Sequence, residues 1–170
     1  GLRLVDASPG AYAYRELESS AGLGDALAFG PTDYYRRLDA LVTKFDDRGH
    51  PTCCRVAVIP NGVLLRDAPM RLPPAPRFLV SGRIAPSKRL ETILEAFAAL
   101  VARFADARLV IAGQAEPRHR DYLASLIESA AGLPVAFLGA QPGLEFLAEP
   151  FTAAIVLGTH QGCPNAALEA

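Results

Sequence analysis

Four short apolar runs, each closed by a glycine, constrain this chain more than any other feature. They are Phe78-Leu79-Val80-Ser81-Gly82, RLVIAG at 108–113, VAFLG at 135–139 and AAIVLG at 153–158. Brief apolar runs punctuated by glycine are the pattern of buried strands. The segments between them have helical period. Strand, helix, strand at this spacing calls for right-handed βαβ units, hence an α/β fold with a parallel, Rossmann-like sheet. Ligands of such sheets sit beyond the carboxyl ends of the strands. The four glycine-ended turns are therefore expected to line one crevice.

The turn after the first run carries the most chemistry. Gly82 is followed at once by Arg83, then by a loop with Pro86 and Ser87, then by Lys88 and Arg89. Beyond them Leu90, Ile93, Leu94, Phe97, Leu100, Val101 and Phe104 fall on one helical face. Ser87 is a candidate N-cap, which would place Lys88 and Arg89 in the first helical turn. Cations there oppose the helix dipole by about 0.3–1 kcal/mol each. An anion such as a diphosphate would turn the cluster of Arg83, Lys88 and Arg89 into a binding site. The alternative is that the three side chains point into water.

A second helix is expected from about Pro117 to Ala130, with Leu123, Leu126, Ile127 and Ala130 inward and Gly132 as the stop. A shorter one starts near Pro142 and uses Leu144 and Leu147. Residues 164–170 begin another helix with nothing after it to pack against, so the chain reads as a segment cut at both ends. Upstream the pattern is looser. Leu2 to Val5 is a candidate buried strand, Tyr12 to Ser20 a candidate helix, and Ala26 to Phe29 a short apolar run. Pro31-Thr32 opens an expected helix carrying Tyr34, Tyr35, Leu38, Leu41, Val42 and Phe45. Arg55 to Ile59 is an expected strand, stopped by the turn Pro60-Asn61-Gly62. Residues 64–76, rich in proline and without periodicity, read as a linker.

Composition narrows the function classes. A net charge of −1 argues against a nucleic-acid partner or an anionic membrane surface, and no apolar run reaches the ~18–20 residues that span a bilayer. The three cysteines, Cys53, Cys54 and Cys163, contain no CxxC pair, which disfavours metal ligation and disulfides. Fifteen arginines accompany only two lysines, so a lysine at the turn is notable. The histidines His50, His119 and His160 are isolated; only His160 falls at the carboxyl end of a strand. No GxGxxG, P-loop or GxSxG motif is present.

Several stretches in order, VIPNGV at 58–63, SGRIAPSKRLETILEAFAAL at 81–100, RLVIAG, VAFLG and GTHQGCPNAALEA at 158–170, resemble glycosyltransferase family 4 (group 1), retaining nucleotide-sugar enzymes of the GT-B fold. The resemblance covers residues 55–170, and GDALAFGPTDYYRRL at 24–38 is similar to the end of the family's first domain. It implies that residues 1–63 are the tail of an N-terminal acceptor domain, 64–76 the interdomain linker and 77–170 an incomplete C-terminal donor-binding domain.

The same resemblance implies roles. Arg83 and Lys88 would neutralise the donor diphosphate and the leaving nucleotide, with Gly82 also in the donor site, while the turns Gly113-Gln114 and Gly139-Ala140 would hold nucleobase and ribose largely through the backbone. The family's Glu-x7-Glu pair maps onto Gln161 and Glu169. Glu169 would bind the ribose hydroxyls, and Gly162, Cys163, Pro164 and Asn165 would form the turn against sugar and phosphate. Gln161 departs from the pattern, since an amide bonds sugar hydroxyls but supplies no charge. The implied donor is a nucleoside-diphosphate sugar and the acceptor a glycan or lipid hydroxyl, without a metal or other cofactor. The family's glycine-rich loop and catalytic histidine would lie upstream of Gly1, as would any peripheral membrane contact, so these residues alone are expected to be inactive. The location implied is cytoplasmic, up to the inner face of the membrane. The alternative is a non-catalytic nucleotide-sugar-binding or partner subunit of the same fold, which Gln161 favours.

Overall fold

The computed structural model of the protein describes residues 3, 5–7, 36–44, 54–63, 72–142, 150–158 and 165–169. The chain divides into two compact units, Gly1–Gly62 with His160–Cys163, and Val63–Thr159 with Pro164–Ala170. Of the sequence expectations, those at 12–20, 26–29, 31–35, 45, 64–71 and 143–149 lie outside the described residues.

The first unit contains a parallel sheet in the order β1 (Val5–Ala7), β2 (Ala40–Thr43), β3 (Arg55–Val58). Ala40 is in register with both Val5 and Arg55. Two expectations need correction. The amino-terminal strand is shifted to Val5–Ala7, and Val5 is 54% exposed rather than buried. The helix expected through Phe45 gives way, at 40–43, to β2, where Leu41 and Thr43 face inward. The adjacent pair Leu41-Val42 sits in a helical stripe, but Ala-Leu-Val-Thr is equally a strand sequence, and pairing on both edges decides the matter. The strand expected at 55–59 is β3, and Ile59 continues the link by donating to the Thr43 carbonyl at 2.7 Å.

The second unit is built on the four glycine-ended runs. They form β4 (Arg77–Ser81), β5 (Arg108–Ala112), β6 (Val135–Gly139) and a short β7 (Ala153–Ala154). The sheet is parallel throughout, in the order β6-β5-β4-β7. Leu109 and Ile111 of β5 are buried to 1% exposure or less, and Leu90, Ile93, Leu94 and Phe97 of helix α1 (Leu90–Val101) cover them with Leu126 of α2 (Arg120–Ser129). Phe97 meets Phe78 of β4 edge to face, centroids 6.4 Å apart. At its amino end β7 is pinned to β4 by paired bonds between Arg77 and Thr152 and by the Arg77 guanidinium over the Phe151 ring.

The helix faces differ in detail from the periodic pattern. Phe104 lies beyond α1 and is 48% exposed, and Ile127 of α2 is 51% exposed. Residues 117–119 form a 3₁₀ turn ahead of α2. The start of α1 also moves. Pro86–Lys88 is a separate 3₁₀ turn, Arg89 takes the left-handed conformation (φ 50°, ψ 45°), and the helix begins at Leu90. Ser87 is therefore not the N-cap, and Lys88 and Arg89 precede the first α-helical turn. The Tyr122 hydroxyl of α2 explains why. It accepts the Leu90 N–H at 3.1 Å and donates to the Glu91 carboxylate, capping α1 from a neighbouring element.

Candidate functional site

In the β6-β5-β4-β7 sheet the chain builds outward from β4 through β5 to β6, then returns to the other side of β4 for β7. The topological switch point therefore falls between β4 and β7, where open α/β sheets bind their ligands. A small, open cavity of about 20 Å³ lies there. Its floor is apolar, with Val80, Leu90, Ile111 and Ile155, and its rim is formed by Gly82, Arg83, Lys88, Leu157 and Ala166. Ala166 belongs to the short helix α3 (Asn165–Glu169).

Two of the sequence-predicted cations thus stand on one rim. Gly82, with φ 134°, permits the sharp exit from β4 that puts Arg83 there. The 3₁₀ turn then brings Lys88 back to the same opening. Burial, and after it the nearby charge of Arg83, holds the Lys88 ammonium below its ordinary value. Two like charges facing a half-buried opening are relieved by an anion, which is the physical argument for an anionic ligand. The first N–H of α1, that of Leu90, is taken up by the Tyr122 hydroxyl.

The remaining predicted residues are distributed as follows. Gly113 and Gln114 follow β5, and Gly139 and Ala140 lie at the end of β6, on the same sheet edge but outside the cavity walls. Their backbones stitch the edge together: Gly113 N–H donates to the Gly139 carbonyl at 2.8 Å, Gly82 N–H to Ala112 at 2.9 Å and Ile84 N–H to Gln114 at 3.0 Å. Asn165 opens α3 beside Ala166, and Glu169 ends it. Gln161, Gly162, Cys163, Pro164 and His160 lie outside the described residues.

One partner escaped the sequence reading. Glu116 Oε1 accepts a hydrogen bond from Arg83 Nη1 at 2.7 Å, and Oε2 accepts one from Arg118 at 2.7 Å. The hydrogen bond from Arg83, with Arg118 alongside, keeps the Glu116 carboxyl below its ordinary value. The available clue was that β4 and β5 are sequence-adjacent strands of a parallel sheet, so acidic and basic residues in their carboxyl-end turns become neighbours.

The family model "Glycosyl transferases group 1" matches residues 75–170. Among solved structures, the chain is similar to Staphylococcus aureus TarM in complex with fondaparinux, alpha-GlcNAc-glycerol and UDP (TM-score 0.73, 16% identity, 99% of this chain and 34% of that one). It is similar to Anabaena HepE in complex with UDP and glucose (TM-score 0.66, 16% identity, 92% and 46%). The lipopolysaccharide outer core galactosyltransferase WaaB in its apo form is a third (TM-score 0.59, 20% identity, 79% and 41%). These likenesses show the GT-B fold. The chain spans less than half the length of each. Among curated proteins no sequence matches it.

Proposed function

The chain belongs to the group 1 glycosyl transferases, and from that premise we propose that it supplies the donor-binding part of a retaining, nucleotide-sugar-dependent hexosyltransferase acting on a glycan or lipid hydroxyl. The observation that carries this reading is the pairing of Arg83 and Lys88 on the rim of the switch-point crevice. A nucleoside diphosphate laid across that rim would bring its charge to both cations. As the glycosidic bond to the diphosphate breaks, negative charge grows on the leaving phosphate, and cations held in place lower the barrier because they bind that state more tightly than the ground state. Glu169, at the end of α3, is assigned to the ribose hydroxyls and Gln161 to the sugar. With two cations on the diphosphate, the reading requires no divalent metal.

The TarM and HepE structures were obtained with UDP, so UDP is the first nucleotide to test. Calorimetry of UDP, GDP and ADP against the full chain, with and without EDTA, should find one nucleotide that binds regardless of EDTA. Loss of a charge-assisted contact in Lys88→Ala should weaken it by about ten- to a hundredfold. Failure of all three nucleotides to bind the folded protein refutes the reading.

Gln161 favours a second reading, a nucleotide-sugar-binding partner subunit without chemistry of its own. The variant Gln161→Glu in the complete protein separates the two. A large gain in transfer supports lost catalysis, and unchanged or reduced transfer supports a working enzyme with an amide at that position.

A further inference from the structure

We propose that Glu116 is a positioning residue for Arg83, holding the guanidinium at the crevice rim before the nucleoside diphosphate arrives. The inference rests on the donor-site reading given above. Arg83 follows a glycine, its side chain is 69% exposed, and Glu116 is its hydrogen-bond partner among the described residues. Left alone, such a side chain samples many rotamers, and ordering it on binding costs affinity.

Glu116 is itself held from three directions. Its Oε2 accepts a hydrogen bond from Arg118 Nε at 2.7 Å and lies 2.7 Å from Nη2 of the same ion pair, so the carboxylate has one oxygen for each arginine. Its carbonyl accepts the His119 N–H at 2.8 Å, closing the 3₁₀ turn that Pro117 begins. The preceding residues are joined to the Arg83 turn by the parallel bridge Ile84–Ala115 and by the Ile84 N–H to Gln114 bond. Backbone and side chain thus connect the same two turns, which fixes where the carboxylate meets Arg83. A guanidinium carries five N–H donors and this contact uses one, so the others remain for phosphate oxygens.

Simple charge counting gives the opposite expectation. Glu116 is an anion beside a site for anions, and on Coulomb's law alone its removal tightens nucleotide binding. Positioning requires that its removal weakens binding, and only when Arg83 is present.

The experiment is a double-mutant cycle on the full chain: wild type, Glu116→Gln, Arg83→Ala and both together, titrated with UDP, GDP and ADP. Melting curves would confirm that each variant is folded. The Glu116→Gln change should weaken binding of the preferred nucleotide about tenfold in the wild-type background and leave it within about twofold in the Arg83→Ala background. Tighter binding in Glu116→Gln overturns the proposal in favour of charge competition. Equal weakening in both backgrounds overturns it too, since Glu116 then acts by another route. If wild type binds none of the nucleotides, the donor-site reading falls and this inference falls with it; the two failures are therefore distinct.

Discussion

Replacing Gly113 by alanine places a methyl group where the structure has no room for one. A Cβ at that position would stand 1.7 Å from the Gly82 carbonyl oxygen and 2.8 Å from its carbon, against an ordinary non-bonded contact of roughly 3.5 Å. The obstacle is backbone, so no side chain can turn aside, and the two turns must part by well over 1 Å. Parting strains or breaks the bonds that join them, Gly82 N–H to Ala112 and Ile84 N–H to Gln114. At about 1 kcal/mol net for each bond and a similar amount for residual strain, the variant should lose about 3 kcal/mol, on the order of a hundredfold in the folded-to-unfolded ratio. Gly82→Ala is the comparison. Its Cβ meets nothing within 4 Å, but φ is 134°, so its cost is conformational alone, about 1–2 kcal/mol. Urea unfolding followed by far-ultraviolet circular dichroism measures both. A Gly113→Ala protein within about 0.5 kcal/mol of wild type, or less affected than Gly82→Ala, would refute the reasoning.

Two further predictions concern ionisation. Tyr122→Phe removes the cap on Leu90, and should destabilise by about 1–2 kcal/mol. Burial and the Glu91 hydrogen bond raise the Tyr122 hydroxyl to about 12, above the ordinary phenol value of 10.0. The folded state thus binds the proton more tightly. Its stabilisation is complete below pH 10 and is lost as pH rises toward 12, a slope that denaturant midpoints should show in wild type and not in Tyr122→Phe. Lys88 runs the other way. Its folded value lies below 10.5, so the unfolded chain binds the proton more tightly, and its contribution to stability improves as pH rises through that window. On the donor-site reading a bound diphosphate would favour the charged amine, so complex formation should take up more protons as pH rises toward 10.5, which calorimetry in buffers of different ionisation enthalpy detects; Lys88→Arg should abolish the uptake.

How much of this could be read from the residues depends on how far apart the deciding groups are. The strands β4, β5 and β6 were legible because each is a contiguous apolar run closed by glycine, although β6, at the end of the sheet, is not the buried strand expected and leaves Leu138 41% exposed. The rim cations Arg83 and Lys88 were legible because glycine and proline punctuate their turn. The start of α1 was not, because its cap is Tyr122, 32 residues beyond Leu90. Nor was the Glu116 contact, 33 residues from Arg83. Sequence spacing reports neighbours along one element, and these pairs are neighbours only once β5 has docked beside β4. At 40–43 the error had a different source. Four residues compatible with either period were assigned by the company of their helical neighbours, whereas pairing with β1 and β3 determines their conformation.

The two walls of the crevice are held very differently. On one side, β4 is paired over five residues with β5, and their turns are fused by a glycine that tolerates no separation. On the other, β7 contributes two paired residues, and the last link to β4 is the Ile155 N–H to the Leu79 carbonyl at 2.7 Å, before Val156 and Leu157 reach the opening. The crevice is thus a vise with one fixed jaw. Substitutions at 155–157 should therefore reshape the gap while leaving the pairing that carries Arg83 intact.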